Sequence, residues 1–270
     1  MISSKKNGEF FMKLSVKIAG VLTVAAAAMT AKMYATAKGN HLKTHTFPLS
    51  KMKGKPPLTI FFISDIHKRL IDQDLLEKAR SHAPHLVIIG GDLAEGGVPS
   101  ARIEENIKRL VHFGVPIVFV WGNNDYEVRQ HKLYSIFKAH GVITLRNESV
   151  PFSYNGHTIA IAGVDDIRME MDHYEEAIKE LDESQLNILV CHNPEIHEQI
   201  NEDDGIDVIL SGHTHGGQIR FGKFGPYELG KTGIVKNAAY LISNGYGTTK
   251  VPLRLGAEPE THIVTLCGPE

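Results

Sequence analysis

Leu58-Thr59-Ile60-Phe61-Phe62-Ile63-Ser64-Asp65-Ile66-His67 joins a short apolar segment directly to an aspartate and a histidine. An uninterrupted apolar run of this length, rich in Ile and Phe, predicts a strand that is buried on both faces. The same arrangement, an apolar run that ends on polar side chains, occurs four more times along the chain. The five endings are Ser64-Asp65-Ile66-His67, Gly90-Gly91-Asp92, Trp121-Gly122-Asn123-Asn124-Asp125, His192-Asn193-Pro194 and Gly212-His213-Thr214-His215.

Strand-like and helix-like segments alternate from Leu58 onward. Short runs rich in Ile and Val predict strands, and the segments between them have helical spacing and helix-forming composition. This alternation predicts an α/β fold with strands covered on both faces. The glycine-rich stretch 212–247 predicts loops and hairpins. Predicted strands cover residues 58–64, 86–89, 117–121, 158–163, 186–191, 208–211, 240–243 and 262–267, and predicted helices cover 72–82, 101–113, 129–139 and 173–181.

Seven side chains at the five endings have the chemistry of metal ligands. Because ligand sites in open α/β sheets lie beyond the carboxyl ends of strands, we expect these side chains to meet. They offer oxygen and nitrogen atoms and no thiolate, which suits Mn, Fe or Zn better than a structural Cys-rich zinc site. Seven side chains exceed what one ion needs, which favours two divalent ions that share one carboxylate. The predicted ligands are Asp65, His67, Asp92, Asn123, His192, His213 and His215.

Each ending has a simpler interpretation when it is taken alone. The two aspartates could cap helices, and Asn123-Asn124 could form a turn that tolerates left-handed backbone. His192 could be a packed histidine, and His213 and His215 could belong to a Gly-Gly turn. On an extended segment, however, these two imidazoles would point to the same side. The presence of five such endings in one chain favours the metal site.

Composition and charge narrow the class of protein. The 270 residues are 42% hydrophobic and 22% charged, which suits one sizeable globular core. The formal net charge is −2 and there is no long basic run, so we expect no nucleic-acid partner. Two cysteines do not make a disulfide framework. Cys191 lies inside an apolar run, and we interpret it as a buried small hydrophobe.

The first 37 residues differ in kind from the rest. Lysines precede an uncharged run at 18–31, and Ala35-Thr36-Ala37 follows it. Because this run is shorter than the ~20 residues that span a bilayer, we expect an export signal or a short membrane anchor. An Ala-rich helix packed on the domain is the third alternative. A signal or an anchor would place the catalytic domain outside the cytoplasm, and the cytoplasmic face of the membrane is the alternative location. Residues 38–56 are expected to be a linker or a first edge segment, and 57–270 the catalytic domain.

The order of the polar endings, D-x-H, G-D, G-N-x-D, H and G-H-x-H, resembles the calcineurin-like metallophosphoesterase superfamily. The string 212–219, the segment 163–166 and the tail 244–249 resemble a narrower subset of membrane-anchored or exported phosphodiesterases and UDP-diacylglucosamine pyrophosphatase-like enzymes. The resemblance implies a four-layer α/β/β/α sandwich of two mixed sheets flanked by helices, with the metal site at the C-terminal strand ends. It also implies one ion held by Asp65, His67, Asp92 and His215, and a second held by Asp92, Asn123, His192 and His213, with Asp92 bridging.

The resemblance implies a dinuclear metal-dependent phosphohydrolase. Two ions about 3.5–4 Å apart can activate a hydroxide for attack on a phosphodiester or phosphoanhydride. We therefore expect a phosphorylated small-molecule, lipid-linked or cell-wall substrate, with the membrane surface close by through the N-terminus. The alternative is a non-catalytic metal-binding scaffold of the same fold.

Asn124 departs from the family pattern. The family usually has a histidine after the ligand Asn, and an amide can donate a hydrogen bond but cannot act as a general acid. Asp92 and Asn124 are therefore the two residues that we expect to shape catalysis. We expect leaving groups that need little protonation, such as phosphoanhydrides or aryl phosphates. The same departure is the main support for the scaffold alternative.

Other charged side chains have two interpretations each. Asp125 either supports the ligand loop or caps a helix. Four cations in the glycine-rich last third either contact a phosphate or are solvated surface charges. These cations are Arg220, Lys223, Lys231 and Arg254.

Overall fold

Two six-stranded sheets lie at the centre of the structure, a computed structural model that describes the backbone of residues 2–269 and the side chains of residues 14–269. The first sheet contains, in spatial order, β1 (His41–Pro48), β12 (Glu260–Cys267), β2 (Leu58–Ile63), β3 (Leu86–Gly90), β4 (Ile117–Val120) and β5 (Ile143–Leu145). Neighbouring strands from β2 to β5 are parallel. β12 is antiparallel to β2 and parallel to β1, so the sheet is mixed.

The second sheet is also mixed. It contains, in spatial order, β10 (Lys231–Val235), β11 (Ala238–Ile242), β9 (Val208–Ser211), β8 (Leu186–Cys191), β7 (His157–Val164) and β6 (Glu148–Tyr154). The four strands from β11 to β7 are parallel, and the outer strands β10 and β6 are antiparallel to their neighbours.

Helices cover the outer faces of both sheets. α2 (Gln73–Arg80), α3 (Ser100–Val111) and α4 (Gln130–His140) pack on the first sheet, and α5 (Tyr174–Ile178) packs on the second. α2 begins after Asp72, whose carboxylate accepts a hydrogen bond from the Leu75 N–H at 3.1 Å and so satisfies a free donor of the first turn. The layer order is therefore helix, sheet, sheet, helix, and the predicted fold class is confirmed.

β2 shows why its sequence is apolar without alternation. Successive side chains of a strand point to opposite faces. Phe61 and Ile63 pack against the helices, whereas Ile60 and Phe62 pack between the two sheets. All four side chains are fully buried. One strand thus contributes to two hydrophobic cores, which leaves no solvated face for polar residues.

The eight predicted strands are confirmed, with bounds that differ by at most two residues. The prediction of a linker over 38–56 is wrong where His41–Pro48 forms β1, which pairs with β12 along its whole length. The edge-segment alternative describes this part of the chain correctly. β5, β6 and β10 were not predicted as individual strands, and like β1 they lie at sheet edges. Edge strands expose one side to solvent, so their sequences lack the continuous apolar run of the central strands.

α1 (Ile2–Ala37) is longer than its apolar run predicts. Leu14–Ala37 is a 24-residue segment that is long and apolar enough to cross a membrane, and a signal sequence would pass the same test. The helix continues through Lys32, which is why the span exceeds the uncharged run at 18–31. Side chains of residues 14–32 are exposed. The alternative of a helix packed along the domain is therefore wrong for residues 14–32, and only the last turn of the helix, which ends at Ala37, is partly buried.

The end of α1 is fixed to the globular domain by Arg69. The guanidinium donates hydrogen bonds to backbone carbonyls at and just beyond the end of the helix, and it stacks 3.7 Å from the centre of the Tyr246 ring. The Arg254 N–H also donates to the Met33 carbonyl at 3.0 Å. Arg69 lies two residues after His67. The turn that carries a predicted metal ligand therefore also carries the residue that binds the end of α1.

We predict that Gly163→Ala destabilises the fold because the two sheets touch there. A Cβ atom at this position of β7 would lie 2.4 Å from the Leu145 Cβ of the other sheet, so the layers must separate. Overpacking of this kind costs about 1–3 kcal/mol. Urea denaturation of the full chain in a mild detergent measures the free energy of unfolding. Thr158→Ala, at an exposed position of the same strand, should cost less than about 0.5 kcal/mol. An equal effect of both substitutions would contradict the prediction.

Candidate metal centre

All seven predicted ligands meet where the central strands of both sheets present their carboxyl ends. The first sheet supplies four of them and the second supplies three. Asp65 and His67 follow β2, Asp92 follows β3, Asn123 follows β4, His192 follows β8, and His213 and His215 follow β9.

Asp65, His67 and His215 form a first group whose ligand atoms all lie within 4.8 Å of one another. The Nε2 atoms of the two histidines are 3.0 Å apart, and His215 Nε2 lies 3.3 Å from Asp65 Oδ1. All three side chains are buried. Buried nitrogen and oxygen atoms that converge at such distances could hold a metal ion.

Asp65, Asp92 and His192 form a second group with the same spacing. His192 Nε2 lies 3.1 Å from Asp92 Oδ2 and 3.9 Å from Asp65 Oδ1. The same Asp92 oxygen is 3.7 Å from His67 Nε2, which belongs to the first group. Asp92 therefore lies between the two groups, as a carboxylate shared by two ions must.

The His192 ring shows most clearly that a positive charge belongs here. Its Nδ1 lies 2.8 Å from the Gly90 carbonyl, which can only accept a hydrogen bond, so Nδ1 carries a proton. In the neutral ring Nε2 then holds a lone pair, and this lone pair faces the carboxylate of Asp92. Burial disfavours the charged ring, but the carboxylates of Asp92 and Asp65 outweigh it and raise the pKa of His192 well above its usual value. Either a proton on Nε2 or a metal ion therefore supplies the positive charge at this contact.

Four side-chain atoms of the predicted ligands are buried without a hydrogen-bond partner among the described residues. One is His67 Nδ1, which lies close to Glu95, and the other three belong to the ligand set that the resemblance assigns to the second ion. These three atoms are Asn123 Oδ1, His192 Nε2 and His213 Nδ1. The short contact of His192 Nε2 with Asp92 does not have hydrogen-bond geometry. An unpartnered buried polar atom costs about 1–3 kcal/mol. The lack of partners at these three atoms fits a second cation at this point.

The backbone of the ligand loops is strained. Five predicted ligands have φ angles in the left-handed region, which costs a residue other than glycine roughly 1–2 kcal/mol. Backbone strain of this kind concentrates at functional sites. The five are Asp65 at 55°, His67 at 51°, Asp92 at 52°, His213 at 70° and His215 at 50°.

The expectation of an extended segment at 213–215 is wrong. β9 ends at Ser211, and the residues that follow form a tight turn and a short 3₁₀ helix, His215–Gly217. His213 and His215 reach the site because the turn is left-handed at both residues, and strand alternation plays no part. Both side chains nevertheless line the same cavity as Asp92.

Asp125 ties two ligand loops together. Its carboxylate is fully buried and accepts hydrogen bonds from the N–H groups of Asp92 at 2.8 Å, Ala94 at 3.0 Å and Gly122 at 3.0 Å. The loop after β3 and the loop after β4 are therefore held by one side chain. Burial, followed by the charge on Asp92, raises the pKa of Asp125 to about 7. The predicted role of supporting the ligand loop matches these contacts.

Glu95 contacts a ligand histidine and was not identified from the sequence. Its Oε2 lies 3.0 Å from His67 Nδ1, an ion-pair contact whose angle departs from that of a good hydrogen bond. A carboxylate behind a histidine fixes the ring so that its other nitrogen faces the metal. Glu95 also pairs with Lys68. The sequence signal was its position three residues after Asp92, on the same loop.

The electrostatics divide the four predicted ligand histidines into two pairs. Burial is outweighed by Glu95 and Asp92, which raise the pKa of His67, and by Asp92 and Asp65, which raise the pKa of His192. Burial lowers the pKa of His213 to about 4. Burial, with the neighbouring His67 and Arg254, also lowers the pKa of His215 well below its usual value. Both rings are therefore neutral at pH 7, and the neutral imidazole is the species that binds a metal.

A cavity of about 320 Å³ opens in front of the metal centre. Two cations line it, Arg168 and Lys250, and neither was singled out from the sequence. Arg168 Nη1 lies 3.4 Å from His213 Nε2, on a 3₁₀ turn that Asp166 caps by accepting a hydrogen bond from the Met169 N–H at 3.1 Å. Among the described side chains, neither cation forms an ion pair with a carboxylate, so both are available to an anionic ligand.

The four cations that the sequence offered as phosphate contacts or surface charges do not line this cavity. Arg220 and Arg254 are buried, and their guanidinium groups donate to backbone carbonyls of the glycine-rich loops. Both are loop supports, so both interpretations were wrong for them. Lys231 pairs with Glu228 at the surface, and Lys223 lies over an exposed phenylalanine ring.

Asn124 lies in the cavity wall beside the predicted ligand Asn123. Its N–H donates to Asp92 Oδ1 at 2.8 Å, and its side-chain Oδ1 accepts from Asn123 Nδ2 at 2.6 Å. This second bond leaves Asn123 Oδ1 unpartnered and buried, as a metal ligand requires. Asn124 therefore positions two of the predicted ligands.

The comparisons with known proteins agree with this geometry. A family model described as calcineurin-like phosphoesterase matches residues 58–217, a range that contains all seven predicted ligands. The uncharacterized metallophosphoesterase YkoQ of Bacillus subtilis is 27% identical over 242 residues, which cover 81% of this chain and 88% of the relative.

A more distant relative carries membrane segments by its description. The Bos taurus transmembrane protein with metallophosphoesterase domain is 26% identical over 78% of this chain and 54% of its own length. Among solved structures, the Thermus thermophilus sulfate thiohydrolase SoxB superposes with a TM-score of 0.50 at 14% identity. That alignment covers 82% of this chain and 57% of SoxB, and it supports the fold alone.

We predict that Asp125→Asn weakens metal binding without touching a ligand. The substitution turns one carboxylate oxygen into an NH₂ group among three N–H donors, so the loops after β3 and β4 must shift. Loss of a supporting contact of this kind typically costs 10–100-fold in metal affinity. Titration of the metal-free chain with Mn²⁺ measures the affinity. Asp74→Asn, at an exposed position of α2, is the matched control and should bind Mn²⁺ as the unmodified chain does. Equal affinities for the two variants would contradict the role of Asp125.

Proposed function

The chain belongs to the calcineurin-like phosphoesterase family, and we propose that it hydrolyses a phosphodiester or phosphoanhydride with two divalent metal ions. The family is metal-dependent and dinuclear, and this chain has two Asp/His groups that could bind two ions. The single observation that carries the proposal is the position of Asp92 within 4 Å of a histidine from each group.

The proposed ligand sets follow the two groups. The first ion is assigned to Asp65, His67, Asp92 and His215, and the second to Asp92, Asn123, His192 and His213. The three unpartnered buried atoms support the second set, and the close approach of His67 Nε2 to His215 Nε2 supports the first. The chemistry that such ions supply is Lewis-acid activation of water and neutralisation of the phosphate charge. The identity of the metals, Mn, Fe or Zn, is not distinguished by this set of O and N donors.

Arg168 and Lys250 are proposed to bind the non-bridging phosphate oxygens. Both point into the cavity that the metal centre opens into, and both are exposed. A guanidinium presents paired donors that match two phosphate oxygens, whereas an ammonium acts as a point charge. These two cations add positive charge where a pentacoordinate phosphorus gains negative charge.

Asn124 has no proton to give to a leaving group at neutral pH. We therefore keep the proposal that the enzyme acts on leaving groups that need little protonation, such as a phosphoanhydride or an aryl phosphate. Its hydrogen bonds to Asp92 and Asn123 give it a second task, which is to hold the ligands.

The proposed substrates are phosphorylated molecules at a membrane, either lipid-linked or part of a cell-wall polymer. The exposed apolar helix Leu14–Ala37 and the transmembrane relatives support a membrane-associated chain. We propose residues 1–37 as the anchor or signal and residues 57–270 as the catalytic domain, now with β1 as an added edge strand. The catalytic domain is proposed to lie outside the cytoplasm, with the cytoplasmic face as the alternative.

Turnover of bis-p-nitrophenyl phosphate tests the proposed activity. The Mn²⁺-loaded full chain should hydrolyse this diester, and Asp92→Asn should lower kcat by at least about 10³-fold because one carboxylate serves both ions. The metal content of both proteins is measured alongside. Absence of bound metal and of turnover in the unmodified chain would favour the non-catalytic scaffold.

We predict that Arg168→Ala lowers kcat/KM for the same diester by about 10–100-fold, the worth of a charge-assisted hydrogen bond. Metal content should stay unchanged, since Arg168 is not a proposed ligand. Arg168→Lys should recover part of the loss. Arg129→Ala, exposed and outside the cavity, is the matched control. A loss of metal together with activity would assign Arg168 a structural role instead.

We predict that Asn124→His changes the preference for leaving groups. General acid catalysis is worth roughly 10²–10⁴-fold, so kcat/KM should rise for an alkyl phosphodiester and change little for an aryl one. The ratio of the two values is the measurement, because it cancels any change in metal content caused by the lost bond to Asn123. An equal change in kcat/KM for both substrates would contradict the proposed preference for leaving groups.

A further inference from the structure

A second cavity, of about 500 Å³, lies between the end of α1 and the metal centre. Tyr34 of α1 lines one side, and Leu70 of the turn after β2 lines another. Lys250 and Val251 belong to the walls of both this cavity and the one in front of the metal centre. The two cavities are therefore neighbours across a single loop, and a ligand long enough to pass that loop would enter both.

The lining of this second cavity combines positive charge with exposed apolar surface. Tyr34, Leu70 and Val251 are 44%, 41% and 45% exposed. The only acidic residue in the wall, Glu95, already contacts His67 and pairs with Lys68. The remaining charged residues of the wall are all cations, namely Lys38, Arg69, Arg102 and Lys250. An anionic group joined to a hydrocarbon chain matches such a lining, because the chain covers the apolar wall and the anion meets the cations.

Two apolar elements flank these cavities. α1 is fixed at its end by Arg69, and its residues 14–32, most of them apolar, are exposed. On the other side of the metal-centre cavity, the loop 221–229 exposes Phe221 by 68% and Phe224 by 71%. This loop follows Gln218, whose side-chain amide donates to the carbonyls of Thr249 and Val251. Exposed aromatic side chains are typical of a surface that rests on the membrane interface.

We propose that the second cavity holds the hydrocarbon part of a membrane lipid whose phosphate is joined to a leaving group that needs little protonation, and that the metal centre cleaves the bond to this leaving group. The hydrocarbon chain lies between Tyr34 and Leu70 and continues toward α1, and the phosphate passes Lys250 to reach Arg168. Water adds to phosphorus as the P–O bond to the leaving group breaks. The leaving oxygen takes one proton from that water, and the lipid keeps a phosphomonoester. This inference rests on the proposed phosphodiester hydrolysis and commits it to a lipid substrate.

A pair of chromogenic diesters that differ only in the alkyl group tests the inference. The Mn²⁺-loaded full chain in nanodiscs is assayed with p-nitrophenyl methyl phosphate and p-nitrophenyl decyl phosphate, which release the same leaving group. Each buried methylene is worth about fourfold, so kcat/KM for the decyl compound should exceed that for the methyl compound at least tenfold. Leu70→Glu and Tyr34→Glu should each remove most of this ratio, and both should leave turnover of the methyl compound within about twofold.

Ile234→Glu is the matched control, because this apolar side chain of β10 is 79% exposed and lines neither cavity. It should keep the full decyl-to-methyl ratio, including any contribution from partition of the decyl compound into the nanodisc. Equal kcat/KM values for the two diesters in the unmodified chain would overturn the inference. So would a decyl-to-methyl ratio that Leu70→Glu and Tyr34→Glu leave unchanged. Failure to hydrolyse either compound would instead contradict the proposed function itself.

Discussion

Two buried carboxylates, Asp65 and Asp92, lie against the ring nitrogens of buried histidines, and the rest of the structure depends on this arrangement. Burying a carboxylate without a compensating charge is costly. Cations at this point remove that cost, and they explain why the chain tolerates left-handed backbone at Asp92 and unpartnered polar atoms beside it. Asp125 accepts hydrogen bonds that hold two of the loops in place, and Glu95 contacts the ring of His67.

The central strands and the ligands could be predicted from the sequence because one physical rule governs both. Strands buried on two faces are uninterrupted apolar runs, and polar residues directly after them stand out. The four strands without such a run are β1, β5, β6 and β10, which are the edges of the two sheets. Arg168 and Lys250 lie on turns with no periodic pattern, so no rule of spacing selects them. Charge alone pointed to Arg220 and Arg254, which the fold uses to satisfy loop carbonyls.

Membership of the family identifies this chain as a phosphoesterase. Its substrate depends on the residues that surround the metal centre. Asn124 stands where the family usually has a proton donor, and its amide accepts a hydrogen bond from Asn123, which is why we propose a leaving group that needs little protonation. The turn that carries His67 also carries Arg69, which fixes the end of α1. A single turn therefore connects the catalytic loop to the helix that is apolar enough to enter a membrane. The identity of the substrate therefore depends on its leaving group and on its path to the metal centre.

The number of metal ions bound per chain tests the central claim most directly. The full chain is stripped of metal, reconstituted with Mn²⁺, separated from loosely bound ions and analysed for manganese and protein. We expect two ions per chain, and one in Asn123→Ala, because the Asn123 amide serves only the second proposed site. One ion or none in the unmodified chain would contradict the shared position of Asp92 on which the proposed function rests.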